Sequence, residues 1–222
     1  MALLNTNRSQ EILDPSKYGN TPITVIGVGA TGSHLVMSLI ELGFTDLVIY
    51  DDDIVEEHNL NNQAYEYCDL GSRKVNALGR LIKAKSGGPL SDTIKLIPEK
   101  VTKNTPINGI VFLLTDTMAS RKDIAETIDH NVIYTIETRM ASSYGNIFGF
   151  YPHEKAKWLE TLSDDETTEV SACGTAISVG PTAKLLANLA VWHLINFLTD
   201  PTALDQKLNF YLKPGMFSFG KL

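Results

Sequence analysis

At 222 residues, 43% of them hydrophobic, the chain has enough apolar surface for one substantial core and falls in the size range of a single α/β domain. The 26 acidic side chains outnumber the 19 basic ones and leave a formal charge of −7, a field that repels polyanions and argues against nucleic acid as a partner. No apolar run approaches the ~20 residues of a membrane span and the start has no secretory pattern, so a soluble, cytoplasmic protein is expected. The distant cysteines Cys68 and Cys173 make neither a disulfide framework nor a four-cysteine zinc site, and no zinc is expected.

Short runs rich in β-branched residues alternate with longer amphipathic stretches, the order that yields a parallel sheet covered by helices. Strands are predicted over Ile23–Gly27, Asp46–Asp51, Thr93–Ile97, Gly109–Thr115, Val132–Glu137 and Tyr144–Phe150. Helical spacing covers Gly32–Leu42, Ser72–Lys85 and Ala119–Asp129. From about residue 153 to 173 the composition turns polar and acidic, notably over Thr161–Glu169, and the segment reads as a mobile crossover loop or lid. Pro181 then stands where a helix starts, and Leu185, Leu186, Leu189, Trp192, Leu194, Ile195 and Leu198 predict an apolar, buried helix. The tail from Leu208 to Phe219 alternates in character and predicts one added strand. The expected fold is one domain over residues 1–222, a doubly wound, mainly parallel sheet with helices on both faces.

The first strand runs into Gly27-Val-Gly29-Ala-Thr-Gly32 and then into a helical pattern, the setting that gives GxGxxG its meaning. The first glycine makes a tight turn, the second lets backbone approach phosphates, and the third lets helix and strand pack closely, with phosphate at the helix N-terminus. Asp51, with Asp52 and Asp53, ends the next strand about 20 residues on, where an acid accepts ribose hydroxyls. These features define a Rossmann-like nucleotide site. They leave a nicotinamide or flavin oxidoreductase open beside any ATP enzyme.

Further residues carry a more specific resemblance. Asp51-Asp-Asp-Ile-Val-Glu-Glu-His-Asn59-Leu-Asn-Asn62-Gln63, then Gly71-Ser-Arg-Lys74, then Thr115-Asp116-Thr-Met-Ala-Ser-Arg121 follow one another as do the motifs of the ubiquitin-activating ThiF/MoeB/HesA family, which this chain resembles from Ile23 to about Arg121. Arg8-Ser-Gln10 is similar to the segment that in this family sends an arginine across a dimer into the partner's ATP site. The resemblance implies an adenylyltransferase that uses ATP and Mg²⁺ on a carboxylate and works as a homodimer. Its implied substrate is the C-terminus of a small ubiquitin-like or sulfur-carrier protein. It assigns nucleotide contacts to Gly27, Gly29, Gly32, Asp51, Asp53, Asn59, Asn62, Gln63 and Lys74, the metal to Asp116, and leaving-group neutralisation to Arg8. By position alone, Lys74 is also readable as a solvated lysine and Asp116 as the N-cap of the next helix.

The chain departs from the family at several points. Asn62 stands where an arginine is usual, and the paired C-x-x-C zinc motifs are missing. Glu137-Thr-Arg139-Met140 puts a basic side chain at a strand end, either to anchor a substrate carboxylate or to make a structural ion pair. Cys173 occupies the part of the chain that supplies a reactive thiol in members that go on to a thioester or persulfide, while Cys68 reads as a packing residue and the histidines are assigned no chemistry. A peptide or small-molecule acid as substrate, ATP-driven dehydration, and a catalytically silent partner subunit stay open beside the carrier-protein reading.

Overall fold

The computed structural model describes residues 4–162 and 178–222. Among these, eight strands form one sheet in the order β3-β2-β1-β4-β5-β6-β7-β8. They are β1 (Ile23–Ile26), β2 (Leu47–Tyr50), β3 (Ile94–Ile97), β4 (Gly109–Leu113), β5 (Val132–Met140), β6 (Tyr144–Phe150), β7 (Lys207–Leu212) and β8 (Gly215–Gly220). The first five pair in parallel and β6, β7 and β8 extend the sheet antiparallel. The helices are α1 (Pro15–Tyr18), α2 (Ala30–Glu41), α3 (Lys74–Ser86), α4 (Met118–Ala125), α5 (Lys155–Leu159) and α6 (Gly180–Thr199).

The strand period of two explains how both faces come to be covered. Ile23 and Val25 of β1, with Ile110 and Phe112 of β4, enter one apolar cluster, packed by Leu35, Val36 and Leu39 of α2, Val75 and Leu78 of α3 and Leu186, Ala190 and Leu194 of α6. The intervening Ile26, Val111 and Leu113 enter the other, packed by Ile124 of α4 and Trp158 of α5. Strands β1 and β4 are buried along their whole length, as the middle of a two-layered parallel sheet requires. Helix α3 ends where Gly87 takes a left-handed conformation and its N–H bonds to the Lys83 carbonyl.

The doubly wound, mainly parallel sheet agrees with the sequence, and three local expectations are corrected. The tail is a hairpin of two strands, because Lys213-Pro214 turns the chain between Leu212 and Gly215. The expected loop from about 153 is helical at its start: a 3₁₀ turn over Pro152–Glu154 leads into α5, and Trp158 is fully buried, stacked on Phe150 at 4.7 Å. Helix α6 is amphipathic, since Leu186, Leu194 and Ile195 are buried while Trp192 is about half exposed beside Lys184 and Asn188.

Buried between α6 and the sheet, His193 meets the Tyr134 hydroxyl at 3.1 Å (Nε2 to Oη). Burial pushes its pKa down to about 4. The unfolded chain, with its histidine near the ordinary ~6.5, binds a proton that the folded chain refuses, so stability falls as pH drops from about 6.5 to about 4. His193→Gln should flatten this part of the stability curve, measured by urea unfolding across that range. An unchanged slope would mean that His193 is not the group taking up the proton.

Candidate active site

The site is built where the carboxyl ends of β1, β2 and β4 meet the start of α2, the crevice in which doubly wound sheets bind ligands. Gly27 leaves β1 with a φ of 93°, and a Cβ there would lie 3.0 Å from the Leu114 carbonyl oxygen. A Cβ on Gly32 would sit 2.1 Å from the Gly27 carbonyl oxygen, so the helix packs directly on the turn. Gly29 differs: a Cβ there meets nothing within 4 Å. The protein's own packing does not ask for glycine at this position, and the open space is a cradle at the helix N-terminus.

Asp51 ties this loop to β2. Its Oδ2 accepts the Val28 N–H at 2.7 Å and its Oδ1 accepts the Asp53 N–H at 3.0 Å. Burial raises its pKa, an effect opposed by the bond from Val28 and the nearby Lys74 ammonium. Each carboxylate oxygen keeps a further lone pair for a hydroxyl donor. Asp53 turns outward and receives Lys74 Nζ at 2.7 Å. Lys74 opens α3 but is buried, only 8% of its side chain being exposed, so the reading of a solvated lysine is replaced by that of a desolvated ammonium held by one exposed carboxylate.

The loop from 57 to 71 closes over the glycines. Tyr65 is buried and donates its hydroxyl to the Val28 carbonyl at 2.8 Å. Ser33 Oγ accepts the Ala64 N–H at 3.0 Å, and His34 Nε2 lies 3.2 Å from the Asn62 carbonyl oxygen. Asn59 spends its Oδ1 on the Glu56 N–H inside this loop, at 2.9 Å. Asn62 Oδ1, Gln63 Oε1 and Thr115 Oγ1 are buried without a hydrogen-bond partner. Such atoms cost free energy unless a bound group satisfies them. The residues present fit a nucleotide, with an open cradle at Gly29 and the Asp51 carboxylate beside it.

Asp116 is exposed just beyond β4, next to the glycine turn, since Leu114 N–H bonds to the Ile26 carbonyl at 2.9 Å. The N-cap of α4 is Thr117, whose Oγ1 accepts the Ser120 N–H at 3.1 Å. Asp116 is thus free of the capping duty its position suggested. Arg8 does not join the site within one chain. It is exposed on the N-terminal segment, where Thr6 lies against Gly43 beyond the end of α2, a helix length or about 18 Å from the glycines. Cys173 lies outside the described residues. Cys68 is exposed, which corrects its assignment to packing; its neighbours Glu66 and Asp69 are both bound by Arg80.

Glu137 and Arg139 make a structural network. Fully buried, Glu137 accepts from Arg121 Nε at 2.8 Å, from Arg139 Nε at 2.9 Å and from Trp158 Nε1 at 3.2 Å. Arg139 also donates to Thr161 and lies over the Phe148 ring. Residues missed by sequence reasoning are Ser33, His34, Tyr65 and Thr115. Polar-tipped residues in the helix start and the following loop were the available signal.

The ThiF family model matches residues 13–219. The chain is 22% identical over 222 residues to ubiquitin-like modifier-activating enzyme 5 of Drosophila mojavensis, covering 88% of this chain and 55% of that protein. It is 34% identical over 64 residues to the Nedd8-activating enzyme E1 catalytic subunit of Drosophila melanogaster, covering 28% of this chain and 14% of that one. Its fold is similar to that of E. coli MccB crystallised with MccA-N7isoASN, at a TM-score of 0.73 and 15% identity over 93% of this chain and 66% of that one. PaaA is similar at a TM-score of 0.70 and 15% identity over 99% of this chain and 75% of that one. The chain thus spans about half the length of the first of these enzymes.

The two helix-start glycines should behave differently. Gly32→Ala is expected to cost about 2 kcal/mol or more, because backbone must move to admit the methyl. Gly29→Ala should cost less, about 1 kcal/mol, since a methyl there meets no atom within 4 Å and only the backbone, at φ −73° and ψ −141°, disfavours alanine. Equal losses in urea unfolding would show that Gly29 serves the fold.

Proposed function

From membership of the ThiF family, to which this chain belongs, we propose that it adenylates a carboxylate with ATP and Mg²⁺. The observation that carries this reading is the open cradle at Gly29, with Asp51 bonded to the Val28 N–H beside it and the buried Lys74 ammonium held by Asp53 at the start of α3. In the reaction a carboxylate oxygen of the substrate attacks the α-phosphorus of ATP. The bond to the β-phosphate oxygen breaks, and acyl-adenylate and pyrophosphate form. The nucleophile is already ionised, so no general base is required; positioning and charge do the work.

Asp51 receives ribose hydroxyls on its free lone pairs, and the N–H groups at the start of α2 face the phosphates. Lys74, desolvated and oriented by Asp53, acts as a preorganised cation on the departing phosphates. Asp116 is the residue to hold Mg²⁺, which supplies Lewis-acid stabilisation of phosphate charge when bound. Asn62 offers hydrogen bonds where the family has an arginine, so less positive charge is supplied from this loop. Arg8 is assigned to the site of a second copy in a homodimer, since no path brings it to its own. We assign the substrate as the C-terminus of a small ubiquitin-like or sulfur-carrier protein, a reading supported by the relatives named as modifier-activating enzymes. A second reading, a peptide carboxylate, is favoured by the fold likeness to MccB crystallised with MccA forms. Cys173 is proposed as the acceptor of a later thioester or persulfide step, which has no part in adenylation.

ATP with Mg²⁺ should raise the melting temperature and NAD should leave it nearly unchanged; the reverse order sinks the proposal and promotes an oxidoreductase. Exchange of labelled pyrophosphate into ATP, in the presence of a carrier protein ending in Gly-Gly or of a peptide acid, separates the two substrate readings. Lys74→Ala and Asp116→Ala should each lower that exchange by about 10² or more. Both should stay folded, as shown by their circular dichroism. Cys173→Ser should leave exchange intact and remove any thiol-sensitive adduct with the carrier; an adduct surviving this change would refute the assignment of Cys173.

A further inference from the structure

The outer edge of the sheet ends on β8, and the residues there are unlike those of a blunted edge. Met216 and Phe217 are each 49% exposed and Phe219 is 61% exposed. They point to both faces of the sheet, because neighbouring residues of a strand alternate. On one face the stacked pair Tyr144 and Tyr211 leads to Met216, the partner of Tyr211 across the last ladder. On the other, Phe210 leads to Phe217, ring centres 6.0 Å apart, with Phe219 beyond Leu208. Both apolar rows run out at an edge that, among the described residues, no strand or helix covers. Gly-Met-Phe-Ser-Phe-Gly contains no charged residue or proline, the usual devices that keep an edge strand from pairing.

Charge says what kind of chain belongs there. In a protein of net −7, the stretch from Lys207 to Leu222 carries Lys207, Lys213 and Lys221 and no acid, the nearest in sequence being Asp205 before β7. A second copy pairing edge to edge would offer Lys213 no acid from this stretch and gain nothing from charge. We infer that β8 receives an extended, acidic segment of a different protein, which adds to the sheet as a ninth strand. Its backbone bonds to the open edge, its side chains, pointing alternately to the two faces, continue both aromatic rows, and its carboxylates face Lys213 at the hairpin turn, while the Lys207 ammonium lies over the Phe148 ring and that of Lys221 bonds to the Leu204 carbonyl. This docking rests on the fold and the edge, and stands or falls separately from the adenylation site.

The probe is a short fluorescent peptide of alternating valine and threonine flanked by aspartates. It is compared with the same peptide flanked by lysines and with an acidic version interrupted by prolines, which cannot pair as a strand. The acidic peptide should bind about tenfold or more tightly than either control and slow amide exchange across residues 215–220 of the full chain. Phe219→Glu and Lys213→Glu lie at exposed positions, should leave the melting temperature unchanged, and should each weaken binding by about tenfold. Several results overturn the proposal: no binding of the acidic peptide up to about 1 mM, equal binding of the lysine peptide, or protection mapping away from β8. A dimer in sedimentation that Phe219→Glu dissociates overturns it too, by making the occupant a second copy.

Discussion

The carboxylate of Asp51 accepting the Val28 N–H is the contact from which the rest of the site takes its shape. It joins the end of β2 to the loop that leaves β1, so two neighbouring strand ends present one rigid rim. The other end of the same rim is set by sterics, with Gly32 packed on the Gly27 carbonyl and Gly27 against Leu114 at the end of β4. Tyr65 then seals the loop by bonding to the Val28 carbonyl. Val28 is therefore held through both its N–H and its carbonyl, and the helix N-terminus cannot drift from the strand ends. A preorganised loop of this kind pays no reorganisation when charge develops on a bound phosphate.

The second rigid point lies beneath Asp116. Glu137, one strand over from Leu113, joins Arg121 of α4, Arg139 of β5 and Trp158 of α5. One buried carboxylate facing two guanidiniums leaves an excess of one positive charge, shared out through the carbonyls of Thr138 and Thr161. Removing one partner from such a network strands the others, at a cost of about 3–5 kcal/mol. Arg121 thereby fixes the helix that begins just after Asp116, and Arg139 fixes Thr161, the doorstep of the segment that carries Cys173. The same carboxylate thus ties the start of α4 to Thr161, and of the two sequence readings of Arg139 the structural ion pair is the one that stands.

The sequence was most informative where the physical signal is local. The glycine spacing, Asp51 at the end of the second strand and the alternation of strands with helices are encoded within short windows, and all stand in the structure. What was illegible depends on contacts between distant segments. Nothing in a 21-residue separation says that Lys74 will be buried against Asp53, and the loop from 57 to 71 has no periodicity from which to read Tyr65 or His34 as clasps on the glycine turn. Trp158 was hidden because its neighbours are charged, and one aromatic residue does not make a helical pattern. The hairpin was nearer the surface of the sequence. Pro214-Gly215 is a turn signal, but the apolar alternation on either side outweighed it.

The charge balance of one chain suggests how the proposed reaction is completed. Around the cleft stand Asp51, Asp52, Asp53 and Asp116, against Lys74, already engaged by Asp53, and Arg73, which donates to the Asp52 carbonyl. Asn62 adds hydrogen-bonding capacity and no charge. A triphosphate meeting a second anion in so acidic a cleft needs positive charge from elsewhere. A divalent cation beside Asp116 would turn that carboxylate from a repulsive group into a ligand. The arginine at position 8, at the far end of α2 in its own chain, would serve the proposed reaction at the site of another copy. In the proposed reaction the metal and the second copy would be two parts of one electrostatic requirement, set by the acidity of the cleft.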